Sequence, residues 1–295
     1  MKTGTSISNQ NLARIAIVTA VLPLILLMPP RCQAADLFGP VEDYFANWFN
    51  RVDQIQSEQP HWMTPLVTVT PRLEEEYRYD QLWQTQPHGT ALNNFGANKG
   101  LELIPFSPVE LILSTPGYIS RGGHVKASNG WADETFLIKY RLLAANEETG
   151  NYILTLFLGI SAPTGDDPVS LRHTVYTPTI AFGKGWGNFD FQSTVADALP
   201  DGGLKRLGSP VAFNTTFQYH IPEFFMWPEL ETNYTWWPNG EREGKSQLFL
   251  TPGLILGRFH LWNRVRFVIG AGYQVAVTKD PQYNNGVILS VRTPF

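Results

Sequence analysis

Apolar and polar residues alternate with a period of two in one segment after another from about Thr68 to Phe295. In the segments 211–220 and 265–278, one parity is apolar and aromatic, whereas the other carries hydroxyls, amides, glycines and charges. Because successive side chains of a strand point to opposite faces, this pattern predicts strands that have one apolar and one polar face. Any fold for this chain has to place the apolar face in an apolar environment and the polar face in a polar one.

About twelve such segments lie between turn signals, and an even number of strands is typical of a bacterial barrel. Each segment is close to the roughly ten residues that a tilted transmembrane strand needs. Short connections such as 187–188 and 262–263 alternate with longer polar ones such as 166–172, 200–209 and 238–246. The predicted strands lie near residues 68–83, 94–104, 108–119, 131–143, 151–162, 175–185, 188–198, 211–220, 228–237, 247–260, 264–277 and 285–295.

No uninterrupted apolar stretch after residue 35 has the length of a membrane-spanning helix. A mature chain that enters a membrane would therefore have to close into a barrel, because an open sheet edge leaves unpaired peptide groups in hydrocarbon. Aromatic residues cluster toward the predicted strand ends, as in 224–227 and 236–237, which is typical of interfacial girdles. We predict an all-β fold, a transmembrane antiparallel up-and-down β-barrel of about 12 strands; a soluble β-sandwich is the alternative.

The first 35 residues have the layout of a cleaved signal peptide. Lys2 and Arg14 precede an apolar run over 15–28, and cleavage after Ala34 or Ala35 fits the small residues there. A retained membrane anchor is the alternative, but the apolar run is short for a spanning helix. Removal of residues 1–35 would take away Cys32, the only cysteine, and leave 19 basic against 26 acidic residues. The resulting net charge of −7 argues against a nucleic-acid partner.

Residues 40–55 show a helical period instead of a strand period. Their apolar residues recur at i, i+3, i+4, i+7 and i+8, and Pro40 suits the first turn of a helix. This predicts a short amphipathic helix that either covers apolar surface or acts as a plug or lid at a barrel mouth. Residues 56–65 are interpreted as a polar linker. The predicted organisation is a signal peptide over 1–35, the helix and linker over 36–65, and the barrel over 66–295.

Charged residues within the predicted strands share the parity of the small polar residues, so they would face the barrel lumen. An Arg or Lys that faced lipid at the middle of the membrane would cost about 2–4 kcal/mol. Such charges either pair with one another and fill the interior, or line a narrow polar path that selects solutes. The lumen-lining candidates are Lys139, Arg141, Glu229, Glu231, Arg258 and Arg266.

Several stretches resemble a known family. Residues 130–142 and 159–166, together with 181–187 and parts of 239–278, are similar to the hairpins of the MetA-pathway of phenol degradation family of outer-membrane barrels. The resemblance covers roughly residues 95–295. It implies an outer-membrane location and a role in transport, loosely tied to uptake of aromatic or other hydrophobic compounds. Phe295 is similar to the terminal aromatic residue that the barrel-assembly machinery binds, although Thr293 and Pro294 depart from the usual alternation.

The sequence lacks the common motifs of soluble enzymes. The six histidines are scattered without metal-ligand spacing, and the sequence has neither a Gly-x-Ser-x-Gly elbow nor a phosphate loop. We therefore predict no catalytic residue, no metal and no cofactor. An outer-membrane lipid hydrolase, with His220 and Ser193 or His260 and Ser246 as conceivable pairs, is the first alternative. A structural or partner-binding barrel that does not conduct is the second.

The predicted function is passive passage of small solutes, hydrophobic or aromatic ones among them, through the outer membrane of a Gram-negative-type bacterium. The expected partners are outer-membrane lipid and lipopolysaccharide, the barrel-assembly machinery and a small-molecule solute.

Overall fold

The computed structural model describes residues 41–86, 89–122 and 129–295. The predicted signal peptide lies outside the described residues. The chain divides into two compact units, and the first ends at Asn47. Within its described part it contains helix α1 (Val41–Ala46), where the rings of Tyr44 and Phe45 meet edge to face with their centroids 5.2 Å apart.

The second unit runs from Trp48 to Phe295 and is mostly β-structure. Among its described residues, the helical elements include α2 (Trp48–Ser57), α3 (Leu204–Leu207) and a 3-10 turn at Pro222–Phe224. None of the helices in the described ranges is both long and apolar enough to cross a membrane. The strands are β1 (Glu76–Thr85), β2 (Ala91–Gly96), β3 (Gly100–Phe106), β4 (Val109–Ser114), β5 (Tyr118–Gly122), β6 (Gly130–Trp131), β7 (Glu134–Ala145), β8 (Tyr152–Ala162), β9 (Val175–Trp186), β10 (Phe189–Asp197), β11 (Leu199–Pro200), β12 (Val211–Tyr219), β13 (Met226–Trp236), β14 (Ser246–Trp262), β15 (Val265–Ala276) and β16 (Asn285–Pro294).

These segments form one closed antiparallel barrel of twelve strands. Closure is direct, because β1 pairs with β16 along its whole length, from Glu76 opposite Pro294 to Thr85 opposite Asn285. Four of the twelve strands consist of two successive segments that pair along the same neighbour: β2 with β3, β4 with β5, β6 with β7, and β10 with β11. The predicted twelve-stranded barrel is confirmed, and the closure removes the sheet edges that a sandwich would keep.

Side chains alternate across the barrel wall as the sequence predicts. On β1, Arg78 and Asp80 are buried inside whereas Tyr79 between them is exposed outside. On β7 the same relation holds for buried Lys139 and exposed Ile138. The outer surface is therefore apolar and the interior is polar, the reverse of a soluble sandwich. Large apolar side chains exposed on the outside include Tyr77, Tyr79, Trp83, Phe136, Phe182, Phe213, Phe217 and Tyr273.

The two ends of the barrel differ in their connections. One end, here the turn end, carries the short connections 107–108, 187–188 and 263–264, and β1 starts and β16 finishes there. The other, the loop end, carries the longer connections 163–174 and 237–245. Exposed tryptophans mark both ends: Trp186 and Trp262 at the turn end, Trp131 and Trp236 at the loop end.

The predicted first strand, 68–83, differs from the structure. Strand β1 begins at Glu76, so the barrel wall starts ten residues later than the predicted boundary at residue 66. Residues 59–75 belong to neither a helix nor a strand, although fourteen of these seventeen residues are buried. Proline at 60, 65 and 71 removes three main-chain donors from this stretch, which disfavours its pairing as a strand.

Candidate functional site in the barrel lumen

Residues 59–75, which we name the luminal segment, run through the interior of the barrel between α2 and β1. The main chain of this segment is bonded by inward-facing side chains of the wall instead of by a neighbouring strand. A buried chain without secondary structure needs such partners, because each unpaired peptide group would carry a desolvation cost. The wall supplies donors and acceptors from different sides of the barrel.

The main-chain donors of the luminal segment point to two glutamates on β13. The N–H groups of Val67 and Thr68 donate to the carboxylate of Glu231 at 2.7 and 2.6 Å, and the N–H of Leu66 donates to Glu229 at 3.2 Å. Glu231 is fully buried, and Glu229 is nearly so. Two of these three hydrogen bonds end on Glu231, which makes this side chain the main attachment point for the N–H groups of the segment.

The main-chain acceptors of the segment point to arginines elsewhere on the wall. Arg292 of β16 donates to the carbonyls of Pro65, at 2.7 Å, and Thr64, and Arg78 of β1 donates to the carbonyl of Leu66 at 2.5 Å. Further along, Arg258 of β14 donates to the carbonyls of His61 and Trp62 at 2.5 and 2.8 Å. Acidic groups therefore hold the N–H side of the segment while basic groups hold its C=O side.

The remainder of the segment is bonded in the same manner. Thr155 of β8 donates to the carbonyl of Pro71 at 2.6 Å, and Lys139 of β7 donates to the carbonyl of Arg72 at 3.1 Å. The N–H of Glu74 donates to Glu110 of β4 at 2.6 Å. Residues 59–75 are thus attached to wall side chains all around the barrel.

Two apolar side chains of the segment lie in hollows that glycines leave in the wall. A Cβ built at Gly253, Gly270 or Gly272 would come within 2.7–2.8 Å of the tip of Leu66. A Cβ at Gly183 would lie 2.5 Å from the ring of Trp62, and one at Gly185 would lie 2.7 Å from its Nε1. Only glycine permits this approach, so the glycine-rich run 183–187 also shapes the lumen.

The six lumen-lining candidates have different surroundings. Lys139 is fully buried and pairs with Glu110 at 2.8 Å. Arg141 donates to the carbonyl of Ile55 at 2.7 Å and pairs with Glu58 at 2.9 Å. Glu229, Glu231 and Arg258 hold the luminal segment as described above. Arg266 has the inward parity of β15, but it is exposed at the turn end.

Three further side chains bond to the luminal segment but were not predicted from the sequence: Arg78, Glu110 and Arg292. Their parity is the signal that could have found them, because each alternates with outward-facing residues in its strand. The luminal segment itself was missed for a different reason. Its stretch Leu66-Val67-Thr68-Val69-Thr70 alternates as a strand does, and the alternation led to the prediction of a wall strand.

Helix α2 lies at the turn end, next to the start of the luminal segment. Its Val52 and Ile55 are buried against Leu73 and Ile104, which is the covering role considered for the predicted helix. Asp53 binds Arg264 of the turn after β14 through two hydrogen bonds, one of 2.7 Å. The hydrogen bonds from Arg264 lower the pKa of Asp53 below its ordinary value.

A second attachment at this end joins the segment to the turn between β7 and β8. The N–H of His61 donates to Glu147 at 2.6 Å, and the His61 ring lies 2.9 Å from the same carboxylate. Burial alone would raise the pKa of Glu147, but the hydrogen bonds from His61 outweigh burial and leave it below its ordinary value.

The luminal segment separates two cavities. One of about 440 Å³ lies toward the turn end, lined by Glu76, Arg258, Arg266 and Phe295 among others. The other, of about 210 Å³, lies toward the loop end and is lined by Lys99 and several hydroxyl side chains. Thr64 borders both cavities. The barrel therefore has a cavity on each side of the luminal segment.

The serine and histidine pairs considered for a hydrolase are engaged elsewhere. Ser193 donates to the carbonyl of Asn214 at 3.0 Å, and His220 stacks on Trp227 with the ring centroids 4.2 Å apart. His260 lies 3.1 Å from the carbonyl of Asn263 at the turn end, while Ser246 starts the same strand at the other end. Within the described ranges, no group of three or more His, Cys, Asp or Glu side chains is arranged to hold a metal ion.

The likeness to one solved structure supports the barrel fold. The chain is similar to an outer membrane channel from Pseudomonas putida F1, with 14% sequence identity and a TM-score of 0.53 over 75% of this chain and 94% of the channel. OmpF of Salmonella typhi, 8% identical over 75% of this chain and 96% of its own, gives a TM-score of 0.35. A bacterial polysaccharide outer membrane secretin, 10% identical over 76% and 99%, also gives 0.35.

Neither the family models nor the curated proteins contain a match to this chain. The likeness to the Pseudomonas channel agrees with the barrel that the family resemblance implies. Membership of the phenol-degradation family itself stays a prediction.

Proposed function

We propose that this chain is an outer-membrane channel whose lumen is closed by its own residues 59–75 and conducts small solutes when that segment moves aside. One observation carries the proposal: the buried charges of the wall bind a separate stretch of chain, and only some of them pair with one another. If the inward-facing charges served only to fill the interior, they could pair with one another and would need no such segment. The apolar exterior, with tryptophans at both ends, suits a bilayer.

The proposal includes export by a cleaved signal peptide over residues 1–35 and insertion into the outer membrane by the barrel-assembly machinery. Bacterial barrels keep short turns on the periplasmic side and long loops outside. The turn end, with α2 and Phe295, would then face the periplasm, and the loop end would face outer-leaflet lipopolysaccharide.

The solute class proposed from the resemblance, hydrophobic or aromatic compounds, has support inside the lumen. Inward-facing Trp227, Ile255, Val268 and Ile288 form an apolar patch on the wall, which Met63 and Leu66 of the luminal segment now cover. Withdrawal of the segment would expose this patch to a passing solute. Growth of a deletion strain on aromatic carbon sources tests this proposed solute class. Growth equal to that of the parent strain on all of these sources would contradict the proposal that aromatic compounds are transported.

Conductance across a planar bilayer tests the channel itself. Thr68→Pro removes one of the two main-chain donors that bind buried Glu231, and loss of such a bond raises the open fraction roughly tenfold. Thr68→Ala is the matched control, because it keeps the N–H and removes only a hydroxyl that has no partner in the structure. Stepwise current through Thr68→Pro, with little change in Thr68→Ala, supports the proposal.

A barrel that stays sealed in both variants, while its heat-dependent gel migration shows that it is folded, would contradict the channel. The second candidate function is a structural barrel that does not conduct, because residues of the chain itself fill the lumen. A folded barrel that stays sealed in both variants would favour this second function. Hydrolysis of phospholipid or lipopolysaccharide by the purified protein would instead establish the enzyme alternative.

A further inference from the structure

We infer that the wall of the lumen is a binding site for extended peptides with apolar side chains, and that residues 61–68 occupy this site in the closed state. The inference rests on the proposed channel function and adds a class of ligand to it. The first observation is a mismatch of charge. Residues 59–71 contain no Asp, Glu, Lys or Arg, yet buried wall residues of both signs face them.

The wall charges recognise the main chain, which every peptide shares. Glu231 accepts two successive N–H groups, those of Val67 and Thr68, and Arg292 donates to two successive carbonyls, those of Thr64 and Pro65. Acids on β13 and arginines on β16 and β1 thus bracket the backbone from two directions. Recognition of this kind depends on amide groups and is largely independent of sequence.

Specificity would come from the two glycine hollows. One hollow, at Gly253, Gly270 and Gly272, takes Leu66, and the other, at Gly183 and Gly185, takes Trp62. The two side chains are four residues apart along the segment. A peptide that matches the site therefore has a large aromatic side chain and a branched aliphatic one at that spacing, without charge between them.

The site has room for a ligand to enter once the segment is displaced. The cavities of about 440 and 210 Å³ adjoin it on the two sides. Met63, which packs in the same apolar cluster as Leu66, shows that the wall between the hollows also accepts an unbranched apolar side chain.

Block of single-channel current by a synthetic peptide tests the inference. The probe is the sequence of residues 62–68 with an acetyl group at one end and an amide at the other, added to full-length Thr68→Pro channels. The matched control peptide carries N-methyl groups on the two amides that correspond to Val67 and Thr68. The unmodified peptide is expected to block at a concentration roughly tenfold lower, because the control cannot donate to the wall carboxylate.

Glu231→Gln in the same background is expected to remove most of that difference between the two peptides. A third peptide, with serine in place of its tryptophan and leucine, is expected to block weakly. Open channels that all three peptides block equally, or that none blocks, would overturn the peptide site and leave the channel standing. Folded Thr68→Pro protein that never conducts would overturn both.

Discussion

At the residue scale, the side chain of Leu66 packs directly against the glycine at position 270. The Cβ of an alanine there would lie 2.7 Å from Cδ2 of Leu66, while its next neighbour, Cγ1 of Ile255, would be 3.1 Å away. Gly270→Ala is therefore expected to push the Leu66 tip out and weaken docking of the luminal segment by about 1–3 kcal/mol. Protease sensitivity of the segment in folded barrels measures this loss.

The double variant Gly270→Ala with Leu66→Ala provides the control. Leu66→Ala alone leaves a void, and the methyl group of the new alanine at 270 would partly fill it. The two changes together are thus expected to cost less than the sum of the single changes. Strict additivity would show that Leu66 does not lie in this hollow.

At the element scale, helix α2 and the start of the luminal segment are attached to the barrel through carboxylates outside the strands. The pKa values of Asp53 and Glu147 both lie below the ordinary range, so the attached state binds fewer protons than the detached one. Attachment is then favoured above about pH 4 and lost as the pH falls below it. We expect the open fraction of the channel to increase over that interval.

Replacement of both carboxylates isolates this effect. The double variant Asp53→Asn and Glu147→Gln is expected to open more often than the parent at neutral pH and to show no further rise below pH 4. Because Asp53 and Arg264 are partly exposed, high salt should weaken the attachment of the parent as well. An acid response that the double variant retains in full would assign the response to other groups.

The elements that the sequence predicts well are those whose two faces meet different surroundings. Strands such as β12 and β15 alternate because one face is apolar outside and the other polar inside, and α2 shows a helical period for the same reason. The luminal segment has no such constraint, because polar wall side chains bond it from several directions. Its burial depends on Glu229, Glu231 and the arginines, which are distant in sequence, and no local pattern contains that information.

At the scale of the whole molecule, the barrel can conduct only if the luminal segment moves while the twelve strands stay paired. The wall is held by continuous ladders such as that between β1 and β16, whereas the segment is held mainly by individual hydrogen bonds from wall side chains. The segment should therefore detach long before the barrel unfolds, since its attachment involves far fewer bonds. A reversible covalent link between the segment and the wall tests this, because it blocks detachment of the segment without unfolding the barrel.

Leu66→Cys with Gly270→Cys puts one cysteine on the segment and one on the wall at a point of contact, because a Cβ at position 270 would lie 2.7 Å from Cδ2 of Leu66. Oxidation is expected to link the two thiols. Combined with Thr68→Pro, the oxidised pair is expected to abolish the current, and a reductant is expected to restore it in the same membrane. Each single cysteine variant is the control and should not respond to the reductant. Conduction that persists with the disulfide intact would mean that solutes pass beside the segment, in which case the two cavities, and not the displaced segment, would define the path.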